Sequence, residues 1–143
     1  MMAATWDLLD AEFERFPVLR GAADTTRTEI DRASREIGIA FQQDYAEFVR
    51  RYGAAIVGAY PIFGLRKVDA MGLMWSVIDA NLEYRSKLWP GINEWLIVSS
   101  DLAGNPVGIS RDESIWLSDH DFGDIVPIAE SFEGFVRKYC LKV

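Results

Sequence analysis

The sequence predicts an α+β domain: N-terminal helices, an antiparallel meander of short strands, and one closing C-terminal helix. Three observations carry this expectation. Apolar residues recur at helical spacing through the first half, β-branched and aromatic runs alternate with turn formers from Trp95 onward, and a serine-led amphipathic stretch ends the chain.

Taken in order, Thr5 is placed to cap "WDLLDAEFERF", in which Trp6, Leu9, Phe13 and Phe16 fall on one stripe, and Pro17 sets a boundary near Arg15 or Phe16. A second helix is expected over Thr26 to Ile37, with Ile30, Ala33 and Ile37 inward and Gly38 as its stop. A third covers Gln43 to Tyr52, burying Tyr45, Phe48, Val49 and Tyr52 before Gly53. "AAIVGAYPIFGL" is broken by Gly58, Pro61 and Gly64 and reads as extended chain with a bend. A fourth helix is expected over Met74 to Leu88, with Trp75, Ile78, Leu82 and Tyr84 or Arg85 on its stripe.

The strands follow as "EWLIVSS", "PVGIS", "SIWLS" and "DIVPIA", joined by "DLAGN", "RDE" and "DHDFG". Connections this short require antiparallel neighbours. Ser131 then caps "FEGFVRKYC", with Phe132, Phe135, Val136 and Tyr139 along one side. No linker or repeat divides the 143 residues, so a single domain spanning 1–143 is expected.

The formal charge of −7 is unevenly placed. Asp101, Asp112, Glu113, Asp119, Asp121, Asp124, Glu130 and Glu133 share their segment with one basic residue, Arg111, and the rest of the chain carries fourteen charges of each sign. Such a field repels nucleic-acid phosphate and speeds encounter with a basic partner. A solvated face that keeps the protein soluble has the same composition, and both readings stand.

Chemistry is poorly provided for. Counting Asp119 as the first position of a calcium loop puts Asp121 third and Glu130 twelfth, but Gly123 and Asp124 occupy the next critical positions in the wrong order. "DFG" at Asp121 to Gly123 lacks every other kinase element, and Pro106 removes an amide that a phosphate loop would need. His120 and Cys140 are the chain's only His and Cys, too few for a structural zinc site, and His120 is the only histidine base. A non-enzymatic protein without cofactor or metal is expected. Cys140 alone permits no internal disulfide, no secretory leader is visible, and no apolar run reaches the roughly 18 residues that span a bilayer, so a cytoplasmic location with no membrane contact is expected.

Three stretches resemble the SUKH superfamily, which includes immunity proteins of bacterial polymorphic toxin systems and fungal regulators of cell-wall synthesis. "IDRASREIGIAFQQDYAEFVRRYG" (Ile30 to Gly53) is similar to its opening signature. "WLIVSSDLAGNPVGIS" (Trp95 to Ser110) looks like its central hairpin with an Asp-x-x-Gly-Asn turn. "SIWLSDHDFGDIVPIAESFEGFVRKY" (Ser114 to Tyr139) resembles its closing strand pair and helix. The resemblance runs from 30 to 139; Gln42 and Gln43 stand where the family often has proline, and Tyr52-Gly53 where it often has Asn-Gly.

The resemblance implies a binding protein that neutralises a cognate toxin, in many cases a basic nuclease, by covering it. Its alternative is a regulatory or scaffolding module that holds an endogenous protein. Asp101, Asp112, Glu113, Asp119, Asp121, Phe122 and Asp124 are the expected partner-binding residues, with Trp116 and Tyr60 as further aromatic candidates and Trp116 expected mainly in the core. No direct contact with nucleic acid is expected, and the chain itself is expected as a monomer or weak homodimer.

Overall fold

The computed structural model describes residues 1–143. Three helices, α1 (Ala3–Arg15), α2 (Arg27–Ile37) and α3 (Gln43–Tyr52), precede a hairpin of β1 (Ala55–Val57) and β2 (Tyr60–Ile62). After α4 (Val77–Ser86) come β3 (Leu96–Ser100), β4 (Pro106–Ile109), β5 (Ile115–Asp119) and β6 (Asp124–Ala129), then α5 (Phe132–Phe135), which widens into a π-helical segment over Val136–Leu141. The six strands form one antiparallel sheet in sequence order, β1 through β6. The α+β expectation holds, and "AAIVGAYPIFGL" proves to be a strand pair turned at Gly58, whose φ is +61°.

Local chemistry explains the helix boundaries. Thr26 caps α2 through a reciprocal pair of bonds with Glu29, and Gly38 ends it at φ +86°. Glu29 also receives a two-pronged bond from Arg66, Nη1 to Oε2 at 2.7 Å and Nη2 to Oε1 at 2.8 Å, which ties α2 to the chain following β2. Thr5 is not the cap of α1. The helix starts three residues earlier than expected, at Ala3 with Met2 as its N-cap, and Thr5 is fully buried, donating to Glu133 Oε2 at 2.7 Å and accepting from Arg137. Its hydroxyl joins the first helix to the last instead of closing its own first turn.

The fourth helix is shorter than expected and turned about its axis. Ser76 caps it, Val77, Ala80 and Asn81 face inward, and Leu82 is 52% exposed. The cause lies in β3. β2 pairs with β3 at Ile62 and Ser99, and Phe63 N–H adds a bond to Val98 O, before the chain leaves the sheet at Gly64. That leaves Ile97 with an open edge. Asn81, 0% exposed, fills it: Oδ1 accepts from Ile97 N–H at 2.8 Å and Nδ2 donates to Ile97 O at 2.9 Å and Val77 O at 2.7 Å. One side-chain amide thus substitutes for a neighbouring strand.

A core of 26 residues joins helices and sheet. Around Phe48, the rings of Tyr52 and Phe132 meet nearly edge-on at 5.0 and 5.8 Å. In the closing segment the π-helical spacing turns Cys140 inward to 4% exposure and leaves Tyr139 half-buried beside Phe135 and Tyr60. Burial is complete along β4 and falls away toward the last strand, where Asp124, Ile125, Val126 and Pro127 are all exposed.

Candidate partner-binding surface

In a sequential antiparallel meander, successive turns fall at alternate ends of the sheet. The turns at Gly58–Ala59, Asp101–Asn105 and His120–Gly123 therefore share one end, and the Ser110–Ser114 turn lies at the other. Five of the seven expected binding residues, Asp101, Asp119, Asp121, Phe122 and Asp124, come together at the three-turn end. Asp112 and Glu113 do not; a strand length, roughly 15 Å, separates them from the rest.

The carboxylates at the three-turn end differ in what they do. Asp101 holds its own turn: Oδ1 accepts from the N–H groups of Ala103 and Asn105 at 3.0 and 2.8 Å, and Oδ2 accepts from Asn105 Nδ2 at 3.0 Å. Gly104 takes φ +82° within that turn, a conformation that disfavours a side chain. Asn105 Oδ1 then accepts from His120 N–H at 3.2 Å, tying the β3–β4 turn to the β5–β6 turn. The Asp-x-x-Gly-Asn pattern is thus a cross-brace between neighbouring turns. Lys138 and Lys142 stand across an open groove from Asp101, so a negative field does not extend in that direction.

The β5–β6 tip is different. Asp121 keeps 69% of its side chain in solvent, Asp124 is exposed, and Asp119 accepts from Asp121 N–H at 3.0 Å. Phe122, 80% exposed, projects among them, and Leu102, 89% exposed, stands on the neighbouring braced turn. His120 is an exposed turn residue whose ring lies 5.2 Å from Trp89 and whose Nδ1 is 3.4 Å from Asp121. Two bare apolar side chains on linked turns, beside three carboxylates, have the composition of an interface anchor with a charged rim.

At the opposite end, Asp112 organises its turn. Bonds from the Ser110 hydroxyl, and then from the hydroxyl and N–H of Ser114, hold its carboxyl down to about 2. Glu113 sits at φ +70° in the same turn. No group of three or more His, Cys, Asp or Glu side chains could hold a metal ion, and Glu130 lies beyond the far end of β6 from Asp119 and Asp121. No helix is long and apolar enough to cross a membrane.

The braced turn, the six-strand meander and the capped α2–α3 pair carry the stretches by which this sequence compares with known proteins. A family model described as the SMI1 / KNR4 family (SUKH-1) matches residues 24–138. The chain belongs to this family. The SUKH-1 match begins after α1, although that helix supplies Trp6, Leu9 and Phe13 to the core. No curated protein matches the chain.

One feature of this SUKH-1 surface is absent from the expected residues. Leu102 had a legible signal, an apolar side chain within the polar turn "DLAGN". Trp116 is half-buried rather than a core residue, because β5 lies next to the exposed last strand and its ring rests beside Trp95.

Proposed function

We propose that the chain is a non-enzymatic immunity-type protein that neutralises a cognate bacterial toxin by covering it, and that it docks through the β5–β6 tip. The observation that carries this reading is Phe122, solvent-exposed on a braced turn and flanked by Asp119, Asp121 and Asp124. An exposed aromatic on an ordered turn loses little conformational freedom on binding and buries a large apolar area. The carboxylates would steer a basic partner, such as a nuclease with a phosphate-binding surface, and raise its on-rate. Family membership supports a protein of this type. The charge imbalance supports a basic partner over an acidic one.

Co-expression with the toxin encoded beside this gene, followed by binding kinetics on the purified pair, tests the proposal. Growth should be rescued, and association should slow about tenfold or more between low and high salt while dissociation changes little. A regulatory or scaffolding module is favoured instead if the toxin is not bound and an endogenous protein is held by a contact indifferent to salt. The exposed apolar pair Phe122 and Leu102 is the feature that such a contact would use.

A further inference from the structure

We propose that a second groove, floored by Trp95 and Trp116 and rimmed by the Ser110–Ser114 turn at the opposite end of the sheet from Phe122, binds an arginine side chain presented by a basic protein segment. The groove is open, about 570 Å3 in volume, and its apolar lining is completed by Gly91 and Ile125. The two indoles lie 6.3 Å apart and 32° from coplanar. Trp116 Nε1 donates to Ser114 Oγ at 2.8 Å, which fixes the ring. Gly108 makes room for this arrangement, since a Cβ there would sit 2.8 Å from Trp95 Cβ and 3.0 Å from its ring. A fixed indole face attracts a cation through its quadrupole, and most strongly a planar guanidinium that can lie flat on it.

The rim supplies the charge. Glu94 and Asp112 line the groove together with a single guanidinium, that of Arg111, so two carboxylates meet one positive charge. The bonds that Asp112 accepts all fall on Oδ1, leaving Oδ2 free. Arg111 shows what the rim accommodates: its Nη2 lies 3.1 Å from Glu94 Oε1, on side chains 80% and 63% exposed. That exposed pair costs little to open, so an incoming arginine would compete with Arg111 for Glu94 and gain Asp112 Oδ2 and the indole face. A net rim charge of one negative, Glu94 and Asp112 against Arg111, disfavours an anionic segment. The site is independent of the hairpin-tip reading, and either can fail without the other.

The test is a titration of the protein with acetyl-Gly-Arg-Gly-Arg-Gly-amide, followed by NMR of the indole N–H groups of its five tryptophans, against the same peptide with citrulline for arginine. The Trp116 signal, assigned through Trp116→Phe, should move saturably while that of Trp89, at the other end, stays in place. The arginine peptide should bind about tenfold tighter than the citrulline peptide, which has the same shape without charge. Glu94→Gln should weaken binding several-fold and Arg111→Ala should tighten it by removing the internal competitor; both positions are exposed, so neither change threatens the fold. Equal binding of the citrulline peptide, equal binding of a lysine peptide, movement of Trp89 instead of Trp116, or no saturable shift at millimolar peptide would each overturn the proposal.

Discussion

Replacing Asn81 with alanine should destabilise the protein far more than a helix position normally would. Alanine is the better helix former, so propensity alone predicts a gain of a few tenths of a kcal/mol. The structure predicts the reverse. Asn81 is fully buried, and its amide makes the only bonds seen on the open side of Ile97. Truncation strands one N–H and one carbonyl of β3 in the core. Val77 O loses a bond too, but a carbonyl within α4 retains its helical partner. Two orphaned groups at about 1–3 kcal/mol each, set against the small propensity gain, give a loss of about 3 kcal/mol. In a domain of this size that lowers Tm by roughly 10 °C. Calorimetry and urea unfolding should show it with an unchanged m-value. Asn81→Asp separates polarity from volume: it keeps the acceptor for Ile97 N–H but sets a carboxylate against two carbonyls. It should be at least as damaging at neutral pH and recover partly in acid, where a protonated carboxyl can donate. A loss below about 1 kcal/mol for Asn81→Ala would mean that the β3 edge is satisfied some other way, and would refute the reasoning.

Acid should weaken the link between α2 and the segment after β2. The bond from Arg66, aided by the Thr26 backbone, holds the Glu29 carboxyl below its ordinary 4.5, down to about 2. A depressed folded-state value gives stability that is present above the ordinary value and lost as pH falls from about 4.5 toward 2. Glu29→Gln should flatten that part of the stability–pH curve, and an unchanged slope would show that the ion pair contributes nothing. Cys140 should resist thiol reagents in the native state, because burial pushes its thiol up and removes it from solvent. Labelling should proceed only as fast as the protein opens, and rapid native labelling would contradict the inward turn of the π-helical segment.

What the sequence made legible follows from which residues report on their own surroundings. The strands from Trp95 onward, the Gly38 and Gly53 stops and the Ser131 cap all depend on neighbours within a few residues, and they stand where expected. Thr5 and Asn81 depend on partners far along the chain, Glu133 and Ile97, and no local pattern could announce them. The phase of α4 failed for the same reason: Leu82 gives the better apolar stripe, but the open edge of β3 selects Asn81. Among the site residues, the acidic segment was visible as composition. Its division between the two ends of the sheet is a consequence of meander topology, which the strand order already implied. The opposed roles of Asp101 and Asp121, one spent on bracing a turn and the other left in solvent, could be read only from the hydrogen bonds.

The central claim is that a partner meets the three-turn end of the sheet, with Phe122 as anchor and the neighbouring carboxylates as rim. Hydrogen exchange on the complex with the cognate toxin tests it most directly. Protection should concentrate in Leu102–Asn105 and Asp119–Val126 and leave α1 and α2 unchanged, and Phe122→Ala should remove it. Protection confined to the helical side of the molecule, with the hairpin tips exchanging as they do in the free protein, would contradict the claim.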